Sequence, residues 1–201
     1  MKLGWIGGWG VSLAEMRDLA VAHAPAAEHD IYPPVVGAAE NLVGCDAVVG
    51  WSLGAHHLLE AGARGVKLPA KALLFAPFTS FCAEHGPCGR ASETQVKWLR
   101  RWLDADPAAA LADFRRRAGL APAASTDLPY ELGYLRAGLD LLAQPAGLSL
   151  ITFGRQGLPA GWEAYVGEAD LLLNSAGVNE AIVGCQTVER LGHDLRAFLA
   201  D

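Results

Sequence analysis

Three polar side chains stand where acyl-transfer chemistry would need them: Ser52, His193 and Asp170. Ser52 is the centre of Gly50-Trp51-Ser52-Leu53-Gly54, with the apolar run DAVVG before it and the helical run LGAHHLLEAGA after it. A serine at a sharp strand-to-helix turn has its hydroxyl lifted clear of the sheet. Small residues two positions on either side let strand and helix close in, and the helix aims its first amides at developing negative charge. His193, in Leu191-Gly192-His193-Asp194, follows the last apolar run and precedes the final helical one. An imidazole there is chemically suited to take the serine proton and return it. His56 and His57 belong to the helix after the serine, His23 and His29 to the N-terminal region, and His85 to a middle segment. Asp170, in Gly167-Glu168-Ala169-Asp170 after the run WEAYV, completes the order serine, acid, histidine. Glu168 and Asp140 are the alternative acids.

A serine nucleophile also needs two preorganised backbone amides to hold the oxyanion. Leu53, directly after the serine, supplies one. Gly7-Gly8-Trp9-Gly10 follows the first apolar run, and its glycines let the backbone close on a reacting carbonyl, which makes Trp9 the second donor. The plain alternative is a glycine-rich turn capping the first helix.

These groups must be positioned by a scaffold, and the chain reads as strands alternating with helices. Short, nearly continuous apolar runs predict strands at Lys2–Ile6, Glu28–Tyr32, Asp46–Gly50, Ala70–Phe75, Leu148–Phe153, Trp162–Val166 and Cys185–Glu189. Helical patterns cover Leu13–Ala22, opened by Ser12 and Glu15 as a capping box, then Leu53–Ala63 and Asp194–Leu199. Such alternation predicts an α/β fold with a mostly parallel sheet and helices on both faces. Residues 79–145 break it, offering helices at Val96–Leu103, Pro107–Arg117 and Tyr130–Leu142. This segment is expected to be a helical lid over the carboxyl ends of the strands, inserted into a core made of residues 1–78 and 146–201.

With 201 residues, 52% of them hydrophobic and 19% charged, the composition excludes a disordered tail. A formal charge of −6 argues against a nucleic-acid or anionic-membrane partner. No apolar run reaches the roughly 20 residues of a membrane span, and the start MKLGWIGGWG does not read as a secretory signal, so a cytoplasmic location is expected. The four cysteines read as free thiols. Cys82, His85 and Cys88 cluster without a zinc-site spacing, and no metal is expected.

The stretches GGWGVSLAEM and GWSLGA resemble the carboxylesterases of biotin synthesis, members of the α/β-hydrolase superfamily that remove the methyl ester from pimeloyl-acyl carrier protein. The resemblance implies an α/β-hydrolase fold, a Ser52–Asp170–His193 triad, Trp9 and Leu53 at the oxyanion hole, and Trp9 also lining the acyl site; ester hydrolysis by a serine and a histidine requires no cofactor. Gly7 stands where many hydrolases have His. The chain begins almost on the oxyanion strand, so an N-terminally shortened sheet is expected. Arg100, Arg101, Arg115, Arg116 and Arg117 form a basic cluster in the helical segment. They are candidates for meeting an acyl carrier protein, or else they complement helix ends and Asp104, Asp106 and Asp113. The expected activity is carboxylic ester hydrolysis on an acyl ester. The alternatives are an acyl thioesterase and a non-catalytic binding protein of the same fold.

Overall fold

The computed structural model describes residues 1–200. Six parallel strands form one sheet: β1 (Lys2–Ile6), β2 (Glu28–Tyr32), β3 (Ala47–Trp51), β4 (Ala72–Phe75), β5 (Trp162–Gly167) and β6 (Cys185–Val188), in the spatial order β2-β1-β3-β4-β5-β6. β1 and β3 are buried from their second residue onward, whereas the edge strands β2 and β6 are only partly covered. This is why the central strands read as continuous apolar runs. The strand order reverses direction between β1 and β3, where Ile6 lies opposite Gly50. The turns that leave these two strands, Gly7–Gly10 and Ser52, therefore diverge across a crevice at their carboxyl ends.

Among the described residues eight α-helices accompany the sheet: α1 (Leu13–His23), α2 (Leu53–Ala63), α3 (Glu93–Ala105), α4 (Pro107–Arg117), α5 (Leu132–Leu142), α6 (Leu148–Gln156), α7 (Ser175–Ala181) and α8 (Leu195–Ala200). Ser12 caps α1, its hydroxyl accepting from the Glu15 amide. α2 runs through the interior with Leu53, Ala55, Leu58 and Leu59 fully enclosed. A capping box of Ser92 and Gln95 starts α3 three residues before the expected position. Asp106 caps α4, with Pro107 at its first position.

One of the seven expected strands, the fifth, is absent from the described residues. Leu148–Phe153 lies within helix α6, because the run LSLITF has no periodicity that separates a short strand from a helical turn. Leu150 and Gly154 face inward four residues apart, Leu148 is exposed, and Phe153 packs on Gly62 of α2. Helix α7 was not anticipated. Its seven residues are too few for a periodic signal, and its Gly177 lies so close to the Pro87 carbonyl that a Cβ would come within 1.9 Å of it.

Of the four α-helices between β4 and β5, α3, α4 and α5 precede α6. Their buried faces, Val96 and Leu103 on α3, Leu111 and Phe114 on α4, Leu135 and Leu139 on α5, join the same core as the sheet. Gly138 of α5 rests on Trp9 and Leu53, which sets this helix over the carboxyl ends of β1 and β3.

Candidate active site

Ser52 sits at the turn from β3 into α2 with φ 56° and ψ −115°, a left-handed backbone that costs a non-glycine residue about 1–3 kcal/mol. Its neighbours enforce that geometry. The Ser52 amide donates to the Phe75 carbonyl at 2.8 Å. A Cβ on Gly54 would lie 2.1 Å from the Ile6 carbonyl oxygen, and one on Gly50 would lie 2.7 Å from the Ala55 Cα. Both glycines of the motif are thus demanded by backbone packing, not by side-chain fit.

The structure brings Ser52, His193 and Asp170 into one chain of hydrogen bonds. Ser52 Oγ lies 2.9 Å from His193 Nε2, and His193 Nδ1 lies 2.8 Å from Asp170 Oδ2. An ionised carboxylate can only accept, so Nδ1 carries the proton and Nε2 is left to accept from the serine hydroxyl. Asp170 Oδ1 accepts two more bonds, from the Leu172 amide at 2.8 Å and the Leu173 amide at 2.9 Å. Burial alone would push the Asp170 carboxyl up. The facing His193 and the two amides outweigh burial and hold it below the ordinary carboxylate range. All three residues are buried, with Ser52 the most accessible at 6%.

The loop carrying His193 is tied to the serine turn from behind. Trp51, the variable residue of the glycine–serine motif, donates its indole N–H to the His193 carbonyl at 2.8 Å. Sequence reasoning passed over this residue, since the motif constrains only the positions around it. The alternative acids lie elsewhere: Glu168 is exposed and accepts weakly from the Arg190 amide, and Asp140 is exposed and accepts from Arg100.

The Gly7–Gly10 turn reaches the serine, because a Cβ on Gly8 would be 3.5 Å from the Ser52 Cβ. Neither the Trp9 nor the Leu53 backbone N–H donates to another group among the described residues. Both are available to an incoming oxygen. Trp9 itself is held from above: its indole N–H donates to the Leu135 carbonyl at 2.8 Å, and its ring meets Phe114 edge-on at 4.7 Å. Tyr130 Oη accepts from the Gly10 amide at 3.0 Å, and burial pushes the phenol far up so that it stays protonated. These anchors were also missed, because they join residues more than a hundred positions apart.

The arginines divide. Arg115 is 3% exposed, so it is not part of any docking surface. Its guanidinium clasps Glu15 at 3.0 and 3.1 Å and donates to the Ala121 carbonyl. Glu15 also accepts from Arg196 at 2.5 Å, and Arg196 pairs with Asp194 beside His193. A buried cation requires such a partner, which is why this residue turned inward. Arg100 is paired with Asp104 and Asp140, and Arg116 and Arg117 are exposed but share Asp113. Arg101 is exposed with no carboxylate partner among the described residues.

Among the described residues no group of His, Cys, Asp and Glu is arranged to hold a metal ion, and no helix is long and apolar enough to cross a membrane. Burial pushes the Cys82 thiol up to about 11 and Cys185 up to about 12, so neither is a thiolate nucleophile at neutral pH.

No protein-family model matches the chain, and no curated relative matches it. Solved structures do. An esterase from Exiguobacterium antarcticum superposes with a TM-score of 0.72 at 11% identity, covering 100% of this chain and 89% of its own. The N-acyl homoserine lactonase AidH superposes at 0.66 with 13% identity, over 96% and 82%. A thermophilic esterase from Thermogutta terrifontis superposes at 0.63 with 12% identity, also over 96% and 82%. With the parallel six-stranded sheet and its crossover order, these likenesses define the class: the chain has the α/β-hydrolase fold.

Proposed function

We propose that this protein is a serine hydrolase that cleaves carboxylic esters. The observation that carries the reading is the continuous Ser52–His193–Asp170 chain at 2.9 and 2.8 Å, set beside two undonated amides at a strained turn. In this mechanism Ser52 Oγ attacks the acyl carbonyl while His193 Nε2 takes its proton. The Trp9 and Leu53 amides hold the oxyanion, and the imidazolium is stabilised by Asp170. His193 then gives the proton to the leaving alcohol, and water, deprotonated by the same imidazole, releases the acid.

A fluorophosphonate probe tests this directly. The native protein should be labelled at Ser52 and should turn over short esters. Ser52→Ala should lose labelling and at least about a thousandfold in kcat, with little change in melting temperature. An unlabelled native protein would favour the non-catalytic binding reading, and equal turnover in the variant would end the assignment of Ser52 as the nucleophile.

For the substrate, the likeness of GGWGVSLAEM and GWSLGA to the biotin-synthesis carboxylesterases supports a methyl ester of pimeloyl-acyl carrier protein. In that reading residues 79–145 act as the lid. Methanol release from the carrier-linked ester, with the thioester left intact, is the expected product pattern. Release of the free carrier would instead identify a thioesterase.

A further inference from the structure

Trp9 and Gly10 occupy the two central places of a four-residue turn, closed by the Val11 amide on the Gly8 carbonyl at 3.3 Å. Of the two, Gly10 alone has a positive φ, 73°, which is the type II pattern. A type II turn differs from a type I turn by rotation of its central peptide, here the one that joins Trp9 to Gly10. The closing bond is long and serves either form. The orientation of that peptide must therefore be set by groups outside the turn.

Those groups come from the helical segment between β4 and β5. The Gly10 N–H, which belongs to the central peptide, donates to Tyr130 Oη at 3.0 Å. The Gly10 carbonyl accepts from Arg115 Nη1 at a weaker 3.4 Å. The Trp9 indole is held by the Leu135 carbonyl at 2.8 Å, and a Cβ on Gly138 would lie 2.6 Å from the same ring. A turn at the carboxyl end of β1 is thus clamped by residues more than a hundred positions later. Among these anchors the Tyr130 hydroxyl is the separable one, because it meets a single backbone N–H and phenylalanine would keep the ring around it.

We infer that Tyr130 is a positioning residue for the reaction: its hydroxyl fixes the Trp9–Gly10 peptide and so keeps the Trp9 amide directed at the oxyanion, with Arg115 steadying Gly10 from its carbonyl. The inference rests on the hydrolase reading for the oxyanion itself. It makes the helical segment part of the catalytic apparatus, since the second oxyanion donor is held in place only while that segment is docked on the turn.

The experiment compares native protein, Tyr130→Phe and Tyr134→Phe. Tyr134, 44% exposed at the start of α5, controls for loss of a phenol hydroxyl from the same segment. Kinetics on methyl butanoate are measured together with inhibition by a trifluoromethyl ketone, whose hemiketal with Ser52 would place an oxyanion against the same amides. Deleting an oxyanion donor costs about 10²–10³ in kcat, and displacing one costs less, so Tyr130→Phe should lower kcat about ten- to thirtyfold with KM within about twofold of native. Affinity for the ketone should fall by the same factor as kcat. The shape of the pH profile of kcat/KM should not change, because burial keeps the Tyr130 phenol protonated and the His193–Asp170 pair is untouched. Tyr134→Phe should match the native protein throughout.

If the native protein is labelled at Ser52 while Tyr130→Phe keeps its kcat, loses only melting temperature, or raises KM alone, the inference is overturned and the hydrolase reading stands. A shifted pH profile overturns it too, since the hydroxyl would then be acting through His193. Amide hydrogen exchange reads the clamp without turnover: Tyr130→Phe should speed exchange at Gly10 at least about tenfold, and Tyr134→Phe should not. A native protein that takes no label and cleaves no ester ends the hydrolase reading. The exchange result then decides the clamp by itself, faster exchange at Gly10 upholding the hold of Tyr130 on the turn and unchanged exchange overturning it.

Discussion

At the scale of single residues the site depends on how one carboxylate is kept ionised in the interior. Asp170 is 2% exposed, and burial disfavours its charge, yet His193 and the Leu172 and Leu173 amides together reverse that preference. In the proposed mechanism this ionised acid fixes the imidazole tautomer. Asp170→Asn keeps the shape but offers an N–H where an acceptor is needed, so His193 would present the wrong nitrogen to Ser52. We expect kcat on a short ester to fall by about 10³–10⁴, with KM and the circular dichroism spectrum nearly unchanged. Activity within tenfold of native would show that the Asp170 bond only supports the loop.

At the scale of elements, the ion group of Arg115, Glu15, Arg196 and Asp194 joins α4, α1 and the start of α8, and so ties the helical segment to the histidine loop. Glu15 is its centre. Burial would push its carboxyl up, but the two guanidiniums pull it below the ordinary range. A carboxyl with a lowered folded pKa adds stability above its unfolded pKa, and that stability is lost as pH falls through the folded value. Glu15→Gln leaves Arg115 buried without its counter-charge, a loss of about 3–5 kcal/mol, or roughly 10 °C in a chain of this size. Thermal melts at neutral pH should show that drop. The gap between variant and native should narrow as pH falls below about 4.5, the ordinary Glu value. A variant that melts with the native protein would mean that Arg115 finds another partner. Arg196→Gln should cost less, since Arg196 is 41% exposed.

At the scale of the whole molecule, a net charge of −6 opposes an acidic carrier protein, so docking would depend on where the positive charge lies. With Arg115 buried and Arg100 doubly paired, Arg101, Arg116 and Arg117 remain on the surface. Neutralising Arg101 and Arg116 together should raise KM several-fold for a carrier-linked ester and leave a small ester unaffected. The difference should shrink as salt rises, because exposed pairs are screened over about 8 Å at physiological ionic strength. Equal effects on both substrates would remove the carrier from the proposed function.

The local pattern of the chain determined the serine turn, the strand–helix alternation and the order of Ser52, Asp170 and His193. Each of these depends on near neighbours: glycines spaced two residues from a serine, apolar runs of strand length, caps such as Ser12. The run LSLITF was misread as a strand because its six residues fit either period, and only packing against Gly62 and burial of Leu150 select the helix. Arg115 looked like surface charge on an arginine run, and its burial follows from Glu15, a hundred positions earlier. The same holds for Trp51 on the His193 carbonyl and Trp9 under α5. Those arrangements were decided by tertiary structure, because a side chain's partner across the fold leaves no periodic or neighbouring signal in the residues around it.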